Sequence, residues 1–231
     1  MRTVTYTLAH ALAVLAPALP QSAIPPRRPP QIKVRSAQLN VLRSGRAAVA
    51  GTLGEEGAGD AVTLQERLGG HWRTRATALA GVHGRFALSF RPQAPGSAPV
   101  RLRVAPDGSL AAFPPAGCVE SCAPSAQAAR VWARARTRPL GTLNVFRPVV
   151  ASWYSSGGTT ACGIDLTAGT LGVANRTLPC GTIVTLRYGA RTLRVPVIDR
   201  GPFVEGREYD LTEATKEALG FPSLGVVWST Y

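Results

Sequence analysis

Short segments of alternating apolar and polar residues dominate the chain from residue 34 onward. In the first half these segments are 47–53, 61–67, 72–78, 85–90 and 100–104. Such alternation is typical of β-strands that bury one face, and Gly69-Gly70 lies between two of the segments as a hairpin turn. The pattern over residues 34–147 therefore predicts an antiparallel β-sandwich.

The same alternation continues toward the end of the chain, at residues 130–136, 143–147, 182–187 and 192–198. Gly189-Ala190 is placed as a turn between the last two segments, and Pro196 inside a strand indicates an edge or a bulge. Residues 212–219 have the pattern of a short amphipathic helix that ends at Gly220. We expect a mainly β chain with one short helix and a domain boundary near Arg147-Pro148.

The first 23 residues have the pattern of an export signal. Arg2 precedes an apolar stretch of small and aliphatic residues, and cleavage is expected after Ala18 or Ala23. The stretch is too short to span a bilayer, so we expect no integral membrane span. The alternative is an amphipathic first helix, which the prolines of this region disfavour. Residues 24–33 are predicted to form a Pro/Arg-rich tether without a core.

Composition and charge narrow the classes of protein. The 231 residues are 45% hydrophobic and 17% charged, which excludes a disordered tail. The formal net charge is +13, and residues 32–148 carry +10 of it while residues 149–231 are neutral. The basic segment could bind an anionic wall polymer through its field. Because the arginines lack interleaved aromatic residues, we expect no binding to nucleic acid.

Four cysteines in an exported chain favour disulfides over metal ligands. Four cysteines allow three pairings, and we favour Cys118 with Cys122 and Cys162 with Cys180 because each pair falls within one segment. A zinc site is the weaker alternative, since the histidines lie far away in sequence. We expect neither a metal nor another cofactor.

Five motifs in the last third carry the most specific information. They are ASWY at 151–154, TACG at 160–163, NRTLPCGT at 175–182, VPVIDRGP at 195–202 and YDLT at 209–212. In order and spacing, residues 148–231 resemble the rare lipoprotein A (RlpA)-like double-psi β-barrel, the septal lytic transglycosylase family. The resemblance implies a small six-stranded closed barrel related to the first domain of expansins and to barwin-like domains.

The resemblance also suggests chemistry on a β-1,4 glycan, which needs a carboxyl group beside the scissile oxygen. The barrel segment offers Asp199 and Asp210, each after apolar residues. Expansins, which this barrel resembles, use the aspartate at the position of Asp210 as the essential acid of their groove. Structural roles are the alternative: Asp199 would lock a turn, and Asp210 with Glu213 would form a capping box at the helix start.

Departures from the family pattern put catalysis in doubt. The family's glutamate, aspartate and histidine fall on Ile164, Thr167 and Asn175 here. None of these side chains is a general acid or base. Asp165 lies one residue from the glutamate position.

These features predict an exported, secreted or wall-associated protein that binds peptidoglycan or another cell-wall polysaccharide, or loosens the wall. The residues expected to stack on sugars or to bind their polar groups are Trp153, Tyr154, Tyr209, Asp199, Asp210, Asn175 and Arg200. For Trp153 a core role is the alternative. Two other functions stay open: a lytic transglycosylase that uses Asp210 or Asp199 as general acid and base, and a secreted module that binds an anionic surface polymer.

Overall fold

The computed structural model describes residues 30–105, 135–155 and 157–231. The predicted export signal, most of the tether, the Cys118–Cys122 pair and most of the predicted strand at 130–136 lie outside these residues. Within them no helix has the length and apolar character needed to cross a membrane.

The first half of the described chain forms two antiparallel sheets. The strands are β1 (Lys33–Gln38), β2 (Asn40–Leu42), β3 (Ala47–Thr52), β4 (Ala61–Leu68), β5 (His71–Leu79), β6 (Arg85–Phe90), β7 (Gly96–Ala105) and β8 (Arg136–Tyr154). One sheet has the order β1, β3, β6, and the other contains β5, β4, β7 and the first part of β8. Gly69 and Gly70 make the predicted hairpin turn between β4 and β5, both with positive φ. Two short 3₁₀ turns, Glu55–Gly57 and Val82–Gly84, lie between strands.

One apolar core lies between these two sheets. It takes alternate residues from both, for example Val49 and Leu88 from one sheet and Leu64 and Leu102 from the other, all at most 3% exposed. Burial of one face per strand is the cause of the alternation in the sequence. The predicted antiparallel sandwich is confirmed.

The second half of the described chain closes into a barrel. A separate small hairpin is formed first by β9 (Gly158–Thr159) and β10 (Asp165–Leu166). Besides β8, the barrel strands are β11 (Val173–Ala174), β12 (Ile183–Tyr188), β13 (Arg191–Asp199), β14 (Tyr209–Thr212) and β15 (Gly225–Ser229). Their order is β8, β14, β11, β13, β12, β15, and β15 pairs back onto β8. This six-stranded closed barrel, which the resemblance implied, is confirmed.

The barrel has its own core and one short helix. Its buried residues include Val184, Val197, Leu211 and Val227, each 0% exposed. Helix α1 (Glu213–Leu219) follows β14 directly and ends at Gly220, whose φ of 66° gives the left-handed cap predicted from the sequence.

A single strand, β8, belongs to both halves. Its first part pairs with β7 up to Val145, and its last part pairs with β15 and β14 from Arg147 to Tyr154. The sandwich core ends at Val145 and the barrel core begins at Val149. The change of core therefore occurs within a continuous strand and not within a loop.

Truncating a side chain of the barrel core should destabilise the barrel. Leu211→Ala removes a side chain that is 0% exposed between Asp210 and Thr212. Because a buried cavity is costly, we expect the free energy of unfolding to fall by about 2–5 kcal/mol. Ile183→Ala, at a barrel position that is 44% exposed, is the matched control and should change it by less than about 1 kcal/mol. Denaturant titration measures both, and equal losses would contradict the described core.

Candidate functional site

Polar side chains on three of four neighbouring barrel strands form a row. Asp210 on β14 is in register with Ser152 on β8 and with Ala174 on β11, and Ala174 is in register with Asp199 on β13. Ser152, Ala174 and Asp210 alternate with core residues, so they point away from the barrel core, although Ser152 and Ala174 are only 5% and 3% exposed. The two candidate carboxylates are therefore separated by one strand, or roughly 10 Å between their Cα atoms.

Asp210 is held by its neighbour on β8. The Ser152 hydroxyl donates a hydrogen bond to Asp210 Oδ1 at 2.5 Å, and Arg207 Nη1 donates to the same hydroxyl at 3.3 Å. A serine that accepts from a cation while it donates to a carboxylate polarises both bonds. The relay fixes the direction of the Asp210 carboxylate on the barrel surface.

Asp199 is anchored through one oxygen. Its Oδ1 accepts hydrogen bonds from the backbone N–H of Ala161 at 2.9 Å and from that of Arg200 at 2.8 Å. Asp199 therefore performs the turn-locking role that the sequence offered as its structural alternative, and it also lies in the polar row.

Tyr154 lies two residues beyond Ser152 on the same face of β8 and is close to both carboxylates. Burial raises the pKa of the Tyr154 hydroxyl well above its usual range, and the negative charge of Asp199, hydrogen bonding to Asp199 and the charge of Asp210 raise this pKa further. The hydroxyl oxygen is buried, and its geometry toward Asp199 falls short of a well-formed hydrogen bond. A buried donor that is only loosely paired is costly unless a ligand or solvent group completes its bonding.

A disulfide holds the hairpin that borders this row. Cys162 and Cys180 are bonded as predicted, with Cα atoms 5.7 Å apart and 18 residues of separation. By the loop-entropy model such a closure contributes on the order of 3 kcal/mol. Cys162 N also donates to Ile198 O at 3.3 Å, so the hairpin is fixed to strand β13 beside Asp199.

Arg200 and Asn175 shape the loop that carries Cys180. Arg200 Nη1 donates to the carbonyl oxygens of Asn175 at 3.1 Å and Leu178 at 2.8 Å. The Asn175 side-chain oxygen accepts from the backbone N–H of Thr177 and Leu178, and its nitrogen donates to Glu208 O. Asn175 is only 4% exposed. Both predicted ligands therefore act in the structure as supports for the loop.

The predicted stacking role of Tyr209 is wrong. Its ring is 0% exposed within the barrel core, and the Ser229 hydroxyl donates to its oxygen at 3.2 Å. The ring therefore cannot reach a sugar. Trp153 is partly buried against the same core, and Lys216 Nζ lies 3.8 Å from the centre of its ring. The core role that the sequence left open for Trp153 accounts for this packing.

The capping-box interpretation of Asp210 is also wrong. Strand β14 continues through Thr212, which pairs with Tyr154, so helix α1 starts two residues later than that interpretation needs. Thr212 is the N-cap, and its hydroxyl oxygen accepts from the backbone N–H of Thr215. Asp210 is thereby left on the barrel surface without a capping role.

The family's three catalytic positions hold no replacement acid. Ile164 is 44% exposed at the β9–β10 hairpin, and the Thr167 hydroxyl contacts that of Thr170. Asp165, one residue away, accepts a hydrogen bond from Thr159 within the same hairpin. Among the described residues, no group of three or more His, Cys, Asp or Glu side chains is placed to hold a metal ion.

Three residues of this region were not predicted from the sequence. Ser152 contacts Asp210 across 58 residues and Arg207 across 55 residues, and the parallel β8–β14 pairing brings Ser152 to both of them. Phe203 is 81% exposed in the loop that follows Asp199 and Arg200. An isolated aromatic residue after a Gly-Pro turn was the available signal for Phe203.

Comparison with known proteins agrees with this geometry. The family model described as "Lytic transglycolase" matches residues 148–231. "Probable endolytic peptidoglycan transglycosylase RlpA" of Aquifex aeolicus (strain VF5) is 39% identical over 82 residues, covering 33% of this chain and 36% of that protein. The protein of the same name from Synechocystis sp. (strain ATCC 27184 / PCC 6803 / Kazusa) is 38% identical over 91 residues, covering 37% and 28%.

The fold and the matches together define a closed double-psi β-barrel. Residues 148–231 are an RlpA-like double-psi β-barrel segment. The chain spans about a third of the length of the curated relatives it matches. Among solved structures, Streptomyces papain inhibitor (SPI) is 27% identical with a TM-score of 0.30, covering 36% of this chain and 92% of that one. At this TM-score the likeness carries no further inference.

Unfolding measurements can check that Thr212, and not Asp210, caps helix α1. Thr212→Ala removes the N-cap acceptor, so the free energy of unfolding should fall by about 1 kcal/mol. Asp210→Asn keeps an oxygen that accepts from Ser152, so it should change stability by less than about 0.5 kcal/mol. Thermal or denaturant unfolding of both variants is the measurement. A loss for Asp210→Asn as large as that for Thr212→Ala would restore a capping role.

Tyr154 should make the barrel sensitive to alkali. Its raised pKa stabilises the native state fully below the unfolded value of about 10, because the native state then holds its proton more tightly. This contribution is lost as the pH rises from there through the folded pKa. Above about pH 10 the free energy of unfolding should fall less steeply for Tyr154→Phe than for the parent chain. Denaturant titrations at several alkaline pH values test this, and identical slopes would contradict it.

Proposed function

We propose that the barrel binds the glycan of cell-wall peptidoglycan at the polar row, as a binding or wall-loosening module. The observation that carries the proposal is the cross-strand alignment of Ser152, Asp210 and Asp199, with the Tyr154 hydroxyl close to both carboxylates. Two relatives of this segment are named as probable peptidoglycan transglycosylases, which supports peptidoglycan as the polymer.

The row suits a sugar chain chemically. Carboxylate oxygens accept hydrogen bonds from sugar hydroxyl groups, and such charge-assisted bonds are stronger than neutral ones. Tyr154 supplies a hydroxyl donor close to both carboxylates. Phe203, 81% exposed in the loop after Asp199, offers an apolar ring on which a sugar face could stack. Donor, acceptor and apolar groups are thus gathered around one barrel face.

Binding is favoured over efficient catalysis because the family's catalytic positions hold different residues in this chain. Ile164 and Thr167 cannot transfer protons, and Asn175 is buried in the support of its own loop. One oxygen of Asp199 is already engaged by two backbone N–H groups. The residues that the family uses for proton transfer are therefore replaced here by side chains that cannot transfer protons.

Catalysis by Asp210 is the alternative, because its second carboxylate oxygen has no bond among the described residues while Ser152 orients the first. In a lytic mechanism a protonated Asp210 would give its proton to the glycosidic oxygen as the C1–O bond breaks. The carboxylate would then take the proton of the sugar's C6 hydroxyl as that oxygen bonds to C1, and the acid would be regenerated. Asp199 is the second candidate for this role.

An extracellular or envelope location fits the same proposal. The Cys162–Cys180 disulfide forms and persists in oxidising compartments. The predicted export signal at residues 1–23 would deliver the chain there.

Incubation with purified sacculi tests binding and catalysis together. We expect the parent chain to sediment with sacculi and to release no detectable anhydro-muropeptides. Asp210→Asn should weaken sedimentation about tenfold, since a charged hydrogen-bond acceptor becomes a neutral one, while its melting temperature stays unchanged.

Glu217→Gln, an exposed carboxylate on helix α1, is the matched control and should bind like the parent. Failure of the parent chain to sediment would reject glycan binding. Robust release of anhydro-muropeptides that Asp210→Asn or Asp199→Asn abolishes would establish the enzymatic alternative instead.

A further inference from the structure

The outer face of the larger sandwich sheet carries an arrangement of arginines that the barrel does not use. Cross-strand register places Gln65 of β4 opposite Arg101 of β7 and Arg67 of β4 opposite Trp72 of β5. These residues alternate with core residues such as Leu64 and therefore point away from the sandwich core. Arg67 and Arg101 are diagonal neighbours on adjacent strands, which is within reach of long side chains.

Each of these two guanidinium groups is fixed through its inner nitrogen. Arg101 Nε donates to Gln65 Oε1 at 2.9 Å, and the guanidinium carbon lies 3.9 Å from the centre of the Trp72 ring. Arg67 Nε donates to Gly70 O at 3.2 Å. No described contact engages the terminal nitrogens of either residue, so each keeps an outward pair of donors. Gln65 itself is only 4% exposed, so the support for Arg101 is built into the sheet.

This face is positively charged without a neutralising acid on its strands. Strands β4, β5 and β7 contain one acidic residue, Glu66, which faces the core side and pairs with Arg75 at 2.6 Å. Burial lowers the pKa of Arg101, and the positive charges of Arg103 and Arg67 lower it further. Because these like charges repel one another, binding of an anion between them lowers the free energy.

We propose that Arg67 and Arg101, backed by Trp72 and Gln65, form a binding site for the phosphate groups of a polyanionic polymer. A guanidinium group with both terminal nitrogens available binds oxyanions through two parallel bonds. One guanidinium suffices for a planar carboxylate, whereas a tetrahedral phosphate presents oxygens in several directions and can accept from two guanidinium groups at once. Fixing the groups in advance reduces the entropy that binding must overcome.

The occupant is a phosphate polymer without bases, and therefore not a nucleic acid. Trp72 already has Arg101 over its ring, and strands β4, β5 and β7 carry no other aromatic residue on which bases could stack. This site is separate from the polar row of the barrel, so it stands whether or not the barrel binds glycan.

The test titrates the purified full chain with inorganic phosphate and with linear polyphosphate at fixed ionic strength. Polygalacturonate, compared at equal total charge, serves as the carboxylate comparison. We expect polyphosphate to bind at least about tenfold more tightly than polygalacturonate, with a change in tryptophan fluorescence that Trp72→Phe abolishes. Equal affinity for both polymers would show a general anionic surface and would overturn a phosphate site.

Paired substitutions separate a built site from bulk charge. Arg67→Gln with Arg101→Gln should weaken polyphosphate binding at least about tenfold, and Arg67→Lys with Arg101→Lys should weaken it nearly as much because lysine lacks the fork. The matched control is Arg85→Gln with Arg91→Gln, two exposed arginines of the same half, for which less than threefold, or about 0.7 kcal/mol, is expected.

Each outcome of this series decides the proposal. The site is rejected if the Arg67→Lys, Arg101→Lys variant binds polyphosphate like the parent chain. It is also rejected if the two double glutamine variants lose equal affinity, because binding would then depend only on the net positive charge of the domain. The lysine pair also protects the test against misfolding, since it keeps both charges and both aliphatic stems. Melting temperatures of all variants are measured alongside.

Discussion

Backbone pairing along strand β8 is the constraint on which both halves of the described molecule depend. Its first part completes the larger sandwich sheet beside β7, and its last part closes the barrel between β15 and β14. The same last part supplies Ser152 and Tyr154 to the polar row. A closed barrel has no free sheet edge, so the register of β8 fixes which residues face outward there. Asp210 therefore meets Ser152 because β8 and β14 are parallel and in register.

Much of the fold could be predicted from the sequence because its causes are local. Alternation located the strands of the sandwich, Gly69-Gly70 located a hairpin, and Gly220 located the end of the helix. The polar row could be predicted only in part, since Asp199 and Asp210 carry a chemical signal but Ser152 and Arg207 do not. Ser152 meets Asp210 and Arg207 only because β8 pairs with β14, more than 50 residues further along the chain.

The errors have equally physical reasons. Side chains alternate across a strand, so an outward Asp210 requires Tyr209 and Leu211 to point inward, and Tyr209 is indeed fully buried. The capping box at Asp210 does not form because β14 continues to pair with β8 through Thr212. In both cases sheet register overrode a local motif. Asn175 shows the same effect, since a polar residue at a catalytic position of the family became the support of a turn.

The continuity of β8 also has a mechanical meaning. If the sandwich holds one polymer and the barrel another, tension between them passes along a single covalent strand. The neighbouring strands β7 and β15 run antiparallel to β8 on either side of the change in core. Their hydrogen bonds lie across the direction of pull and would share the load in shear instead of opening one after another. The two halves would then respond to stretching of their surroundings as one connected element.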